Sequence, residues 1–516
     1  MRESFLFLFA FALMSTQTFA LTPEQWKLDL SVLRKAIAAH PNPFHRTSRD
    51  EFERKADALA GELGELNDSQ VVARLAELVA LLGDGHTRLT MPVAANAQLF
   101  LGHRKTPPPK IQPFESLPIR LTRTADGLLV TQTTEEHADL LGALALAIHE
   151  KAIAQAEYAI RPLVYGDNAH QQDYLLPQFL AIPELLAAVK LTPEAGNVLW
   201  TFRLPDGKQV SRSLHPVDRE PIKWSFLPKS SSQSEKRHWF TKSSDGLIYA
   251  RLTDIQNDPK ESVEQFAESV FAELAATPNS TLILDLRDNQ GGDNTLNDAI
   301  VRAAIRSPKV WEPGRFFVLI NGGTFSAASN LVTLLERWIP VIFVGQPTGG
   351  APNEYGDPKR TVLPESGLSL LVSSLYWQVS SPTDQRDSTT PLLPVEPTAA
   401  ALRNGRDDSV NLIRALLKEP VATNGNFAGR WAVPNQQLDI SLQLTADTAR
   451  LTVHPLQIDA QPIANLKRKG ATLEGDIALG NQNIAVHGRL TGSYLLGWLE
   501  LSGRPYSFVA RAQSNP

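Results

Sequence analysis

Three short segments in the second half of this 516-residue chain constrain its fold more than any others. They are "STLILDLR" (280–287), "FFVLI" (316–320) and "PVIFVG" (340–345). A strand that is apolar on both faces must be covered on both faces, which is the condition of a central strand in a layered sheet. The covering elements are present between and before them. "SVEQFAESVFAELAAT" (262–277) places Val263, Phe266, Val270, Phe271 and Leu274 on one face of a helix, and 327–338 reads as a second helix. With "GLIYARL" (246–252) as a further strand, the alternation predicts an α/β core with a parallel or mixed sheet. Sites on such sheets gather at the carboxyl ends of the strands.

Two of those ends carry chemistry. "FFVLINGGTFSAASN" (316–330) leaves its strand on Gly322, Gly323 and Thr324 and sets Ser326 against Ala327 and Ala328. A serine at a strand-to-helix junction lies beside unpaired N–H groups, including that of Ala327, and beside the positive end of the helix dipole, where an oxyanion is stabilised. Small neighbours leave room for a peptide backbone. Equally, Thr324 or Ser326 serves as an ordinary helix cap. "LILDLRDNQGGDN" (282–294) ends its strand on Asp288, Asn289, Gly291 and Gly292, and paired glycines permit a backbone whose N–H groups face a cleft. The plainer alternative is a glycine turn with Asp285 and Arg287 as a structural ion pair. A third segment, "LLGDGHTRL" (81–89), offers His86 as a general base near neutral pH, or else as a residue capping the helix before it.

The remaining sequence frames these segments. Residues 23–82 read as helices, with Thr22–Pro23 and Ser48…Glu51 as start signals and Gly83 as a stop. "HRKTPPPKIQP" (103–113) is a polar, proline-rich connection, and 115–218 mixes strands with short helices, including hairpins around Asp126–Gly127 and Pro205–Asp206–Gly207. A second polar stretch, "LPKSSSQSEKRH", spans 227–238. Beyond 426, "LDISLQLT", "ARLTVHPL", "NIAVHGRL", "LLGWLEL" and "YSFVARA" read as strands of a separate antiparallel β barrel or sandwich without a catalytic cluster. The first twenty residues, with Arg2, an apolar run from Phe5 to Met14 and a small residue at Ala20, have the pattern of a cleaved secretory signal. No later segment is long and apolar enough to span a bilayer. Zero cysteines exclude disulfides, a thiol nucleophile and thiolate metal sites, and a net charge of −5 argues against nucleic acid as a partner. The eleven histidines show no paired ligand spacing such as HExxH, so neither metal nor cofactor is expected.

Taken in order, "GDGHT", "LILDLRDNQGG" and "VLINGGTFSAAS" resemble the C-terminal-processing (tail-specific) serine peptidase family, and more closely its branch related to the tricorn protease core. "GQPTGGAPNEYGDPKRTVLPESGLSLLVSSLYWQ" (345–378) and "PTDQRDSTTPLLP" (382–394) extend the resemblance, which covers roughly residues 22–415. It implies a crotonase- or Clp-like α/β core, a helical N-terminal unit, a mixed α+β module in the PDZ-like position and, outside the resemblance, a C-terminal all-β module. Members with a Ser–Lys dyad carry lysine after "GxPTxG". Here that position is Ala351, whose methyl cannot take a proton, and Lys359 nearby fits no such pattern. The tricorn-like branch uses serine, histidine and an acid. That maps Ser326 as nucleophile, His86 as general base, the N–H groups of Ala327 and of Gly291 or Gly292 as oxyanion donors, and Asp384 as the acid orienting His86. Asp387 and Glu354 stand as other candidates for the acid, and Asp84 as a turn residue.

The expected organisation is a signal peptide at 1–20, a helical unit at 21–102, a mixed PDZ-like or insertion module at 103–226, an α/β peptidase core at 227–420 and a β module at 421–516. The expected function is that of an exported, periplasmic or secreted serine peptidase acting on a peptide or protein substrate without metal. The rival expectations are a ligand-binding protein on the same scaffold and an esterase or amidase for small molecules. Neither the substrate nor the oligomeric state is legible at this level.

Overall fold

A computed structural model of the chain describes residues 20–93, 109–217, 223–228, 236–418, 424–456, 458–479 and 482–513. The expected signal segment, most of the proline-rich connection and the centre of the 227–238 stretch lie outside the described residues. Among the described residues no helix is long and apolar enough to cross a membrane.

The core sheet has six strands in the order Leu393–Pro394, Ile342–Gly345, Phe316–Ile320, Thr281–Asp285, Leu247–Leu252, His238–Lys242. All neighbours run parallel except the last pair. Thr281–Asp285 and Phe316–Ile320 are buried along their whole length, as their composition requires. One face is covered by the helices Val263–Ala276, Asn297–Arg306 and Ala327–Trp338, whose apolar stripes form one core with that face. The other face packs on the helix Asp408–Leu416 and, through Leu496 and Val509, on the C-terminal module.

Three N-terminal helices, Pro23–Ile37, Arg49–Glu62 and Asp68–Ala80, begin on side-chain caps from Thr22, Ser48 and Asn67. Thr22 with Gln25 and Asn67 with Gln70 form complete capping boxes. Ser48 caps Glu51 N–H, but Glu51 turns to Arg54 instead of reaching back, so only half of the expected box forms.

These helices share one core with the middle module, and residues 363–372 from beyond the core's central strands enter that same core. The link is direct. Arg88–Leu89 pairs antiparallel with Leu370–Leu371, and the buried carboxylate of Asp29 accepts N–H bonds from Glu365 and Ser366 at 2.9 and 2.8 Å. The helical unit is therefore locked onto the α/β core by strand pairing and by a carboxylate placed 336 residues away in sequence.

The middle module is a seven-stranded sheet with the central order Ile119–Thr124, Gly127–Thr134, Leu144–Ile148, Val198–Arg203, Gln209–Leu214. Ile119–Thr124 is its edge strand, and the helix Ala169–Phe179 packs beside it. The C-terminal module is a closed eight-stranded barrel, which settles the choice between barrel and sandwich. Its interior is filled by side chains such as Phe427, Trp431 and Phe508.

Replacing Asp29 by Ala should leave two buried N–H groups of the 363–372 segment without acceptors. The expected cost is about 2–4 kcal/mol, read as a lower chemical-denaturation midpoint. An unchanged midpoint would mean that this clamp contributes nothing to holding the helical unit in place.

Candidate active site

The strand Phe316–Ile320 ends in a turn, Asn321–Phe325, that delivers Ser326 to the start of the helix Ala327–Trp338. Ser326 has φ 56° and ψ −130°, left-handed values that cost a β-carbon residue about 1–3 kcal/mol. The conformation is held from the helix, where Asn330 N–H and Ser329 Oγ both donate to the Ser326 carbonyl at 3.0 and 2.7 Å. It turns the Ser326 side chain away from capping, and no cap bond forms. The alternative in which Ser326 caps the helix is therefore excluded. Thr324 instead donates to the Leu286 carbonyl, joining the turn to the neighbouring strand's loop.

That loop, 286–293, is tied down at every step. Arg287 forks onto Asp285 and Asp407, so the structural ion pair weighed from sequence is present. Asn289 is fully buried. It donates to the Leu252 carbonyl, accepts from Gly291 N–H at 2.9 Å, and its carbonyl accepts from Phe325 N–H. The Gly291 N–H is thus already engaged, which removes it as an oxyanion donor. Gly291 serves instead as clearance: a β-carbon there would lie 2.6 Å from Cβ of Ser326. The N–H groups of Gly292 and Ala327 donate no hydrogen bond within the described residues. The glycines before the serine also have a different use from the one expected. β-Carbons on Gly322 and Gly323 would run into the His170 carbonyl and the Tyr174 ring, so these positions admit the helix Ala169–Phe179 rather than a ligand.

His86 arrives from the opposite end of the sequence. Its Nε2 lies 2.9 Å from Ser326 Oγ, and its ring packs on Phe325 with centroids 4.3 Å apart. The loop before it is organised by Asp84. One oxygen accepts His86 N–H at 2.8 Å, and the other accepts Thr87 Oγ1 at 2.6 Å and His40 Nε2 at 2.9 Å. His40 Nδ1 accepts from Asn42 N–H, so its proton is on Nε2, pointing at Asp84. Asp84 therefore makes the expected turn and is also a buried hub. Burial alone would raise its pKa, but the bond from His40, the nearby His86 and the bond from Thr87 hold it well below the usual carboxylate range. His86 is pushed down to about 4, chiefly by burial, with Asp84 and Asp357 opposing the shift and Arg88 reinforcing it. The ring is thus neutral at pH 7. Its Nδ1 is buried against the backbone of Tyr355 and otherwise lacks a partner among the described residues.

The acid assignment needs correction. Asp384 is buried, but its bonds go to Ser380 Oγ and to the Arg386 backbone and guanidinium, and none joins it to His86. Arg386 also grips Glu336. Asp387 is exposed, and among the described residues its side chain engages only Ser388. Glu354 is buried against Ser329. Ala351 is buried and Lys359 exposed on a strand, so neither supplies a base. The carboxylates whose charge acts on His86 are Asp84 and Asp357.

Four residues that the sequence reading passed over take part. His40 supports Asp84; Asp167 accepts Gly85 N–H at 2.6 Å; Asn168 Nδ2 donates to the Thr348, Gly349 and Asp387 carbonyls; Ser329 binds both Ser326 and Glu354. The only local signal was "YGDN" (165–168), a turn composition with no catalytic spacing. Among the described residues no group of three or more His, Asp or Glu side chains is placed to hold a metal ion. A cavity of about 850 Å³ lies beside the site rather than on it. It runs between the edge strand Ile119–Thr124, the helix Ala169–Phe179 and the strand ends at Asp288 and Asn321–Gly322.

No family model matches the sequence, and no curated protein matches it. Solved structures do. Mature CPAF superimposes with a TM-score of 0.50 at 12% identity, covering 76% of this chain and 96% of that one. Mature CPAF complexed with lactacystin gives 0.50, 12%, 76% and 97%. The photosystem II D1 C-terminal processing protease aligns over 75% of this chain and 98% of its own at 14% identity, with a TM-score of 0.34. On the strength of the CPAF superpositions, the chain shares the fold of mature CPAF.

Proposed function

We propose that this chain is an exported serine peptidase in which Ser326 is the nucleophile and His86 the general base. The observation that carries the reading is the 2.9 Å approach of His86 Nε2 to Ser326 Oγ, made by residues 240 apart in sequence on a strained turn beside two N–H groups that are unengaged among the described residues. A surface serine meeting a histidine by chance has no reason to adopt a left-handed backbone or to exclude neighbouring β-carbons.

In this mechanism Ser326 Oγ attacks a peptide carbonyl as its proton passes to His86 Nε2. The carbonyl oxygen becomes an oxyanion received by the N–H groups of Ala327 and Gly292. His86 then protonates the departing amine, and water, deprotonated by the same ring, releases the acyl group. Asp84 sits close enough for its charge to favour the imidazolium formed in between. Asp384 enters the mechanism only through the packing of 380–386. The middle module occupies the PDZ-like position, and the cavity between its edge strand and the helix Ala169–Phe179 suits an extended segment leading to Ser326. This favours a peptide over a compact ester as substrate. The crotonase-like character of the core and export by the N-terminal segment belong to the same proposal.

Ser326→Ala and His86→Ala should each lower kcat/KM for peptide hydrolysis by about 10⁴-fold or more with the thermal transition retained. Covalent capture of Ser326 by a fluorophosphonate should require His86, and equal labelling without His86 would remove the base from the mechanism. Gly291→Ala should displace Ser326 and cost at least about 100-fold in kcat with little change in KM. The neutral ring is the active form, so activity should rise with pH through about 4 and be level near neutrality. An acid limb centred at 6.5 or above would contradict the buried environment described for His86. Asp384→Asn should lower stability by about 1–3 kcal/mol while reducing kcat far less than His86→Ala.

A further inference from the structure

Beside the loop that carries His86 and the helix that begins after Ser326, two carboxyl groups are buried near each other. Asp167, 7% exposed, accepts Gly85 N–H through Oδ1, while its Oδ2 is buried with no N–H or hydroxyl donor among the described residues. Glu354, 4% exposed, stands within hydrogen-bonding reach of Asp167. Its two oxygens also lie 3.3 Å from Ser329 Oγ, the hydroxyl that donates to the Ser326 carbonyl. Space for this packing is created by Gly350, where a β-carbon would sit 2.5 Å from Glu354 Oε2 and run into Ser329 Oγ.

Two ionised carboxylates have no proton with which to bond each other, so the contact requires one to remain protonated. An O–H on Glu354 would supply the donor that Asp167 Oδ2 lacks. The pair adds a second link between two elements that also meet at the His86–Ser326 and His86–Phe325 contacts: through Gly85 the loop carrying His86, and through Ser329 the helix carrying Ser326. We propose that Asp167 and Glu354 share a proton and act as positioning residues, holding His86 in register with Ser326 only while that proton is present. The inference rests on the catalytic reading of Ser326 and His86 given above.

The surroundings agree. Burial raises both groups, Asp167 to about 7 and Glu354 well above its ordinary range; Asp84 raises both further, and Asp167 raises Glu354, while the bond from Glu354 lowers Asp167, as expected when Glu354 is the one that holds the proton. Arg46, from the connection between the first two helices, is the cation that opposes this at Asp167. Gly85 contributes an N–H, the helix Ala169–Phe179 contributes Gln171, and the helix Ala327–Trp338 contributes Ser329. His86 lies one residue beyond Gly85. The native state therefore keeps a proton that the unfolded chain has released, and stability falls as pH rises above the ordinary carboxyl range. Loss of the proton leaves two facing anions, which separates the loop from the helix. An alkaline limb follows, distinct from the acid limb set by His86.

Glu354→Gln supplies an N–H donor that cannot be lost, and Asp167→Asn does so from the other side. For the wild-type chain, kcat should fall at least about tenfold on the alkaline side, and the melting temperature should decline from pH 6 to pH 9. Glu354→Gln should keep neutral kcat within about threefold while flattening both profiles, and Asp167→Asn should do likewise should the first variant fail to fold. Wild-type and variant profiles that superimpose in activity and in melting temperature would overturn the proposal. The melting arm needs no turnover. A chain that hydrolyses no peptide therefore defeats the catalytic reading, while the flattened melting profile still decides the carboxyl pair.

Discussion

The buried carboxylate of Asp84 is the constraint on which the site depends. A loop of five residues, "GDGHT", has too few side chains to define its own shape, and it must hold an imidazole against a hydroxyl from the far end of the chain. Asp84 supplies what the loop lacks. It accepts the His86 N–H, the Thr87 hydroxyl and the His40 ring proton together, and Thr87 in turn accepts the Ser373 N–H. Those bonds satisfy a charge that would be costly to bury alone. They also connect the loop to the segment that pairs with Arg88–Leu89. Strand pairing sets the register, and the carboxylate sets the local geometry within it.

Opposite that loop, the strained serine is held by exclusion as much as by bonding. Gly291 lets Ser326 sit directly on the 286–293 loop, while Gly322 and Gly323 let the helix Ala169–Phe179 close behind the turn. Asn289 fixes the loop to two neighbouring segments. A left-handed residue persists only where its surroundings leave it no alternative, and here the constraint comes from three separate parts of the chain. The middle module is therefore part of the site's support, beyond any part it takes in holding substrate.

Legibility from sequence followed the physical origin of each signal. The strand Phe316–Ile320 and the helix Ala327–Trp338 were readable to the residue, and the strands beside it to within two residues, because a two-sided burial pattern admits few other interpretations. In the barrel, five strands were readable but Gly425–Val433, Ile458–Lys469 and Thr472–Leu479 were not. Ile458–Lys469 shows why: it is largely exposed, so it lacks the apolar alternation that marks a strand, and only pairing with its neighbours defines it. The same reasoning covers the acid. Asp384 sat in a suggestive motif, but a carboxylate's partner is decided by what packs beside it, and Arg386 two residues on was better placed than His86.

By itself the sequence determined the layered α/β core, the small-residue turn at Ser326, the glycines opposite it and the presence of one histidine after a helix stop. Each of these is a local property, written in periodicity, in apolar runs or in the need for a missing β-carbon. Tertiary structure alone decided that His86 meets Ser326, that Gly291 gives clearance rather than an N–H, and that Asp84 rather than Asp384 acts on the imidazole. It alone joined Asp167 to Glu354. The reason is that such contacts join residues tens to hundreds of positions apart, and their geometry is set by how separate surfaces pack, which no local pattern encodes.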